Sequence, residues 1–589
     1  MTRKTAMSRL TVLLAVLVTV SGCVNLPSTG PIRSEPVNEQ LQDEAPVDFT
    51  PSGPERGAAA TEIVRGFLTA MQATPLNTSV ARQFLSAPSS TSWVPEQGTV
   101  VYDAASITAE GQDARLDLDD TDRLDERGAW LGGAGDASYE MDMVRENGEW
   151  RIDTPPDRLI IPATHFETRF QQYFLHYFDK SAQVLVPEPV YVPTGAQATT
   201  FLVVSMLRGP VRELLGVQRT FLPDRTRLDD ISVPVTPDGT AEVPLSDEIL
   251  DLDPAELDHA FAQLAWTLRQ VSGVRRMRVT VDGSPLEIPG QGPDVDVDGW
   301  SEFDPTVSWA SQSLFGIRDG HVVTQIAGDE RRVSGAFGSV DLGLRDIAVD
   351  LAGERIAGTT ADGRVLMAAR SRVAGTAPDE DDTVEVFSGG QRLLEPAWDL
   401  HGQLWLVDDA PTGAEVYVVR NGTARPVTVE GVTGQDVRSI VVSRDGTRFA
   451  AVLDRGDRDV VRVARVLGDP SGRVRRLTAA ERLDVVGLDG ARIRDLAWRS
   501  PGGLAVLAAP TPDTSQVLVV KVDGSSTVTE ATSVAEVFRS RTNEIVTSAT
   551  LGAPLYLGTA DHTLYALASN GRWTGAGIQP GLRSPTFVG

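Results

Sequence analysis

Five stretches in the second half of the chain decide the fold: RDIAVDLAGERIAG (345–358), EPAWDLHGQLWLV (395–407), RSIVVSRDGTRFAAV (438–452), RDLAWRSPGGLAVLA (494–508) and SATLGAPLYLG (548–558). Each reads as an alternating apolar strand, a polar turn carrying a glycine, and a second apolar strand. A period of two places alternate side chains on opposite faces of a sheet. The turn glycines Gly353, Gly402, Gly446, Gly502 and Gly552 lie 49, 44, 56 and 50 residues apart. Spacing near the roughly 40 to 50 residues of known propeller repeats, with room for four short strands in each interval, indicates a β-propeller. From about residue 305 onward no helical periodicity competes with this reading. The segment WASQSLFGIRDGHVVTQI (309–326) lacks an inner strand, and Arg583-Ser584-Pro585-Thr586-Phe587-Val588 can supply it. The expectation is a propeller over 305–589 with six blades, or alternatively seven, closed by the last strand.

Working back toward the N-terminus, Leu257, Phe261, Leu264, Leu268 and Val271 recur at steps of four, three, four and three, the spacing of a core-facing helix. That helix ends at Gly273 and passes into a strand carrying Met277, Val279 and Val281, turned by Asp282-Gly283. Before it stand a strand with Tyr173, Leu175 and Tyr177, and a helix through Phe201, Leu202 and Met206 that Gly209-Pro210 should stop. The succession YFLHYFDKSAQVLVPEPVYVP, MLRGP, FLPDRTRLDDISV and AQLAWTLRQVSGVRRMRVTVDGSPL resembles the GerMN module of germination and sporulation proteins. The resemblance implies a small α/β binding or assembly module over 169–290.

Earlier still, Ile63, Val64, Phe67, Leu68 and Met71 form one helical stripe. Strand alternation follows at Ala114, Leu116, Leu118 and at Tyr139, Met141, Met143. Asn147-Gly148 then predicts a type I′ hairpin, because both residues tolerate positive φ. A helix on a curved antiparallel sheet ending in ENGEWRI resembles the NTF2-like α+β cone, assigned to 58–168 and read as a scaffold.

The first residues are laid out as an export signal. Arg3, Lys4 and Arg9 precede the uncharged run Leu10 to Val20, which leads into Val20-Ser21-Gly22-Cys23. Eleven residues in a helix span about 16 Å, short of the roughly 20 residues that cross a bilayer. The small pair before Cys23 resembles the bacterial lipobox, which implies cleavage after residue 22 and a lipid on the Cys23 thiol. Residues 23–57, with six prolines and mainly acidic charge, read as a tether spanning roughly 35 Å as a coil and about 110 Å fully extended, the alternative for part of it being an ordered arm packed on the first domain.

Cys23 is the sole cysteine, so there is no disulfide, CxxC pair or thiolate metal site. The formal charge is −27, and removing the three basic residues of the signal makes it −30. Such a field repels phosphate backbones and anionic headgroups, which excludes nucleic acid as a natural partner and leaves the lipid as the route to the membrane. The histidines at 165, 176, 259, 321, 401 and 562 form no short metal-ligand spacing and read as incidental. No GxSxG, SxxK, GxxxxGK[ST] or Rossmann glycine pattern is present, so no catalytic residue or cofactor site is assigned and the chain is read as a non-enzyme. The pairs Asp119-Asp120 and Asp229-Asp230 read as solvated surface. Asp294-Val295-Asp296-Val297-Asp298-Gly299 copies the first half of an EF-hand loop, but Pro305 stands where the closing Glu belongs. Residues 291–304 are therefore taken as an acidic linker rather than a calcium site.

In this order, lipobox, tether, NTF2-like domain, GerMN module and propeller resemble the actinobacterial LpqB lipoprotein family. The resemblance implies a lipid-anchored accessory protein on the extracytoplasmic face of the cell membrane. It further implies association with the external domain of the sensor histidine kinase MtrB, influencing the regulator MtrA, envelope homeostasis and division. Two alternatives come from other classes. A ligand-binding lipoprotein requires a deep apolar pocket, expected in the cone, and a propeller hydrolase acting on envelope glycans requires convergent carboxylates or histidines on one propeller face.

Overall fold

The computed structural model describes residues 48–589 apart from 289, 291, 308–309, 327–328, 370–382, 484, 486–489, 526–535 and 551. The signal segment, Cys23 and the tether up to residue 47 lie outside the described residues. Among the described residues, no helix is long and apolar enough to cross a membrane.

Helix Ala60–Ala70 buries Ile63, Val64, Phe67 and Leu68, the stripe that its periodicity predicts, and the Glu62 carboxylate accepts the Ala59 N–H at 2.7 Å. That contact satisfies one of the donors a helix start leaves free. The stripe lies on a sheet ordered Glu149–Ile152, Trp130–Glu146, Asp113–Leu124, Thr99–Tyr102 and Leu159–Pro162, with Ala104–Glu110 also paired to Asp113–Leu124. Asn147 and Gly148 take φ of 53° and 86°, as the hairpin requires. The last part of the expected tether follows the alternative of an ordered arm on this domain. Phe49 and Thr74 exchange both backbone hydrogen bonds at 2.9 Å, Pro51 is buried, and the Gly57 N–H donates to Glu149 at 2.7 Å. Composition predicts solvation of a proline-rich arm; isolated bridges of this kind have no compositional signature.

The next module pairs Phe170–Asp179 with Leu185–Pro193 and covers them with helices Ala198–Leu207 and Pro254–Leu268. The second helix starts on a capping box. Asp253 accepts the Ala255 and Glu256 N–H groups at 2.9 Å each, with Pro254 at the first helical position. Its stripe meets strand Arg276–Val281, which runs parallel to Thr240–Pro244. Residues 291–304 are more than an acidic linker. Val295–Asp296 pairs with Arg276 and Met277, while Val295, Val297 and Trp300 are only 3, 2 and 8 % exposed in this module's core. Alternating Asp and Val is a strand pattern with one apolar face, concealed by the charge on the other.

The remaining described chain forms successive small antiparallel sheets. Their first strands are Leu344–Val349, Ala397–Trp398, Val437–Val442, Arg492–Ser500 and Thr542–Val546. One further sheet joins Leu314–Arg318 to Arg583–Thr586, so the end of the chain pairs with the beginning of the propeller. Hydrogen bonds latch neighbouring sheets. Asp409 accepts the Val437 N–H at 2.9 Å, Asp459 accepts that of Ile493 at 2.6 Å, Asp495 that of Ile545 at 3.0 Å, and the Ser584 hydroxyl that of Ile347 at 3.0 Å. Four of the five turn glycines have positive φ. Gly502 does not; there a Cβ would come within 2.6 Å of the Phe174 ring, and glycine makes room for the preceding module.

Candidate functional site

The first strands of the sheets end around a central channel whose cavity is about 260 Å³. Asp346, Glu395, Asp495 and Glu544 all line it, three from the first strands of three different sheets and Glu395 from the segment just before Ala397–Trp398. Adjacent blades share this geometry, because each opens on an inner strand that begins at the same end of the ring. Burial raises the carboxyls of Glu395, Asp495 and Glu544, and neighbouring carboxylates add to the rise at Glu395 and Glu544. Glu544 is pushed up to about 7, by burial first and then by Asp495 and Asp346. Asp495 rises to about 6 through burial, although the N–H groups of Ile545 and Leu496 and the Ser439 hydroxyl all donate to it. Glu395 opens onto the channel yet has protein around it, and burial together with Asp346, Asp495 and Glu544 raises it well above the carboxylate range. At neutral pH the cluster therefore holds protons that isolated carboxylates would release.

A carboxyl whose pKa is raised in the folded state binds a proton that the unfolded chain has already lost. Its stabilising effect is complete below the unfolded value near 4 and disappears as pH climbs through about 7. The propeller should accordingly lose stability between pH 5 and pH 8. Glu544→Gln should flatten that slope by about 1–2 kcal/mol, a value reduced because the side chain is partly exposed. Urea midpoints at the two pH values check this, and an unaltered slope in the variant removes Glu544 from the cluster.

The second constellation joins the GerMN-like module to the propeller. Arg448, 1 % exposed, donates to the Pro187 carbonyl at 2.7 Å and lies 3.3 Å from Glu188, which also binds Arg465. Asp445 stands 3.6 Å from Arg448 on the propeller side. Nearby, His401 Nε2 meets Asp179 at 3.5 Å. Burial opposes the imidazolium, but the Asp179 hydrogen bond and the charge of Asp399 outweigh it and raise the His401 pKa. Gln172 donates to Asp523 at 2.9 Å, and the Tyr191 hydroxyl is 2.5 Å from Ser525. These contacts make one block of module and propeller.

Among the residues singled out from sequence, Asp229, Asp230, Asp119 and Asp120 are exposed. Asp294 receives both Nε and Nη2 of Arg278, at 2.5 and 2.8 Å, and no cluster of three or more potential metal ligands occurs among the described residues. His401, which its spacing marks as incidental, is instead an interdomain contact. The local signal was its place in a propeller turn, LHG, but the partner Asp179 lies far away in sequence. The channel carboxylates also escaped sequence reading, since nothing local distinguishes them from surface acids.

Comparison with known proteins agrees with this architecture. Residues 53–167 match the model of the lipoprotein LpqB N-terminal domain, 172–287 a sporulation and spore germination domain, and 320–575 the lipoprotein LpqB β-propeller domain. The chain is similar to lipoprotein LpqB of Thermobifida fusca, 27% identical with 96% of each chain covered. It is likewise similar to lipoprotein LpqB of Cutibacterium acnes, at 27% identity over 88% of this chain and 89% of that one. The counterpart from Mycobacterium tuberculosis is 26% identical over 88% of this chain and 89% of its own. Among solved structures, the first GerMN domain of the Bacillus subtilis sporulation protein GerM is 24% identical, covering 21% of this chain and 97% of that one with a TM-score of 0.19. Domain order, the three family matches and relatives aligned over nearly the whole chain place this protein in the LpqB lipoprotein family.

Proposed function

We propose that this protein is a non-enzymatic accessory protein, held by lipid on Cys23 at the extracytoplasmic face of the cell membrane, that binds the external domain of a sensor histidine kinase of the MtrB type and modulates its signalling. Each of the six propeller sheets is taken as one blade. The domain limits are those of the sequence analysis, amended so that 48–57 belongs with the cone and 291–304 with the GerMN module. The observation that carries the reading is the buried Glu188–Arg448–Arg465 contact, which presents two binding-type folds as a single rigid surface. The remaining tether, roughly 30 Å as a coil, keeps that surface in the membrane-adjacent layer where a sensor's external domain also lies, so a modest affinity suffices. Signalling changes only if the surface favours one of the kinase's two states.

Kinase capture from solubilised membranes and regulator phosphorylation in cells test the proposal. The comparison is between the full chain, chains lacking 170–290 or 305–589, and Cys23→Ala. The full chain should capture the kinase and either deletion should abolish capture. Cys23→Ala should lose fatty-acid labelling and fail to alter regulator phosphorylation. Undiminished labelling of Cys23→Ala removes the lipid assignment, and no capture by any form removes the partner. The four channel carboxylates favour a second reading, a glycan hydrolase with Glu544 as proton donor. Under it Glu544→Gln alters the envelope glycan products and leaves kinase capture intact.

A further inference from the structure

Helix Ala198–Leu207, ATTFLVVSML, is apolar around nearly its whole circumference, a composition that belongs to a helix buried on every side. It is not so buried. Phe201 and Val204 are only partly buried, on the wall of a cavity of about 390 Å³ between the N-terminal cone and the GerMN module. Leu76, Leu159 and Phe170 stand on the same cavity's walls. Ser205, 3 % exposed, also lines it, and its hydroxyl has no hydrogen-bond partner among the described residues. A hydroxyl that opens onto a largely apolar wall is free to hydrogen-bond a group held in the cavity.

The helical spacing grades the wall. Phe201, Ser205 and Arg208 follow one another at steps of four and three, so a single helix face runs from aromatic through hydroxyl to guanidinium. Most charge at the mouth is already committed. Asp125 accepts the N–H groups of Arg127 and Ala129 and the Arg127 guanidinium, and Glu126 is 3.5 Å from Arg127. Among the described residues, neither Arg208 nor Glu96, which also line this mouth, has an ion pair. The size is that of small-molecule sites, which favour domain junctions and combine apolar walls with a few polar groups.

We propose that this junction binds a monoanionic amphiphile of fatty-acid type, its carboxylate at Ser205 and Arg208 and its chain along Phe201, Val204, Phe170 and Leu76. One negative charge suits Arg208, whereas a doubly charged phosphate would meet Glu96. The site goes beyond the kinase-binding reading and does not depend on it.

The test uses the full chain in its own membranes and lauric acid bearing a terminal diazirine, photolysed and mapped by peptide mass spectrometry. Crosslinks should fall on the peptides holding Leu76, Phe170 and Phe201 and be competed by excess laurate. They should be lost in Val204→Trp, which fills the cavity, and competition by laurate should weaken in Arg208→Glu, which keeps the cavity and reverses the charge. Should Val204→Trp prove misfolded by its unfolding midpoint, Arg208→Glu alone decides. Crosslinks elsewhere, crosslinks that laurate does not displace, or a laurate response unchanged in Arg208→Glu overturn the site. Displacement by dodecyltrimethylammonium as effective as by laurate overturns the anionic headgroup.

Discussion

Deleting Ser584 to Gly589 is expected to cost the propeller about 5 kcal/mol, comparable to the whole stability of many domains. The segment is short, but its contacts are concentrated. Phe315 pairs with Thr586, Phe587 and Val588 are buried, and Val588 bridges to Val349 in the neighbouring sheet. The Ser584 hydroxyl accepts the Ile347 N–H, and the Val588 carbonyl accepts from Arg444 at 2.9 Å. Losing two buried apolar side chains accounts for most of the figure, at about 2 kcal/mol each. Arg444 adds to the loss, since burial has already pushed its pKa down to about 10 and removing an acceptor leaves a desolvated cation less satisfied. Truncation also exposes the edge of Leu314–Arg318, so aggregation on unfolding should increase. Urea unfolding of the intact and truncated full chains, followed by tryptophan fluorescence, measures the effect. An unchanged midpoint would mean that the ring is held closed by other contacts.

Glu188→Ala should destabilise the union of module and propeller by about 3–5 kcal/mol, the usual consequence of leaving buried charges without their partner. Two guanidinium groups, Arg448 and Arg465, converge on this carboxylate, and Arg448 is almost wholly enclosed. Arg448→Met should cost less, because Glu188 keeps Arg465 and a methionine fills a similar volume without a charge. The order of severity, Glu188→Ala above Arg448→Met, is the diagnostic result. Hydrogen exchange in Leu185–Pro193 and Arg448–Asp454 reads the docking directly, and both segments should lose protection together in the alanine variant. Equal effects of the two substitutions would show that packing rather than charge holds the interface.

Much of the local structure was legible because its causes are local. Asp253, Pro254 and Glu256 start a helix through their own side chains and backbone, and Asn147-Gly148 makes a hairpin through its own φ angles. The propeller repeats were legible for a related reason: each strand must alternate, and four of the five turns place their glycine at positive φ. The strand Val295–Asp296 shows where such reading loses its footing. Its alternation is present, but five residues give too short a sample to outweigh three aspartates. Phe49 fails differently, since a single bridge to Thr74 leaves no periodic trace at all.

By itself the sequence determined the order of the elements, the faces they bury and the architecture of each part, because hydrophobic period, caps and turns act over a few residues. Only the tertiary structure decided which distant groups meet. Glu188 and Arg448 are 260 residues apart, and Asp346, Asp495 and Glu544 come from three different sheets while Glu395 stands just before the first strand of a fourth. Their convergence depends on sheet twist, ring closure and the docking of one module on another, and each of these is set by the sum of many contacts rather than by any local run of residues. The raised carboxyls of the channel, the His401–Asp179 contact and the apolar junction beside Phe201 therefore exist only once the chain has closed on itself.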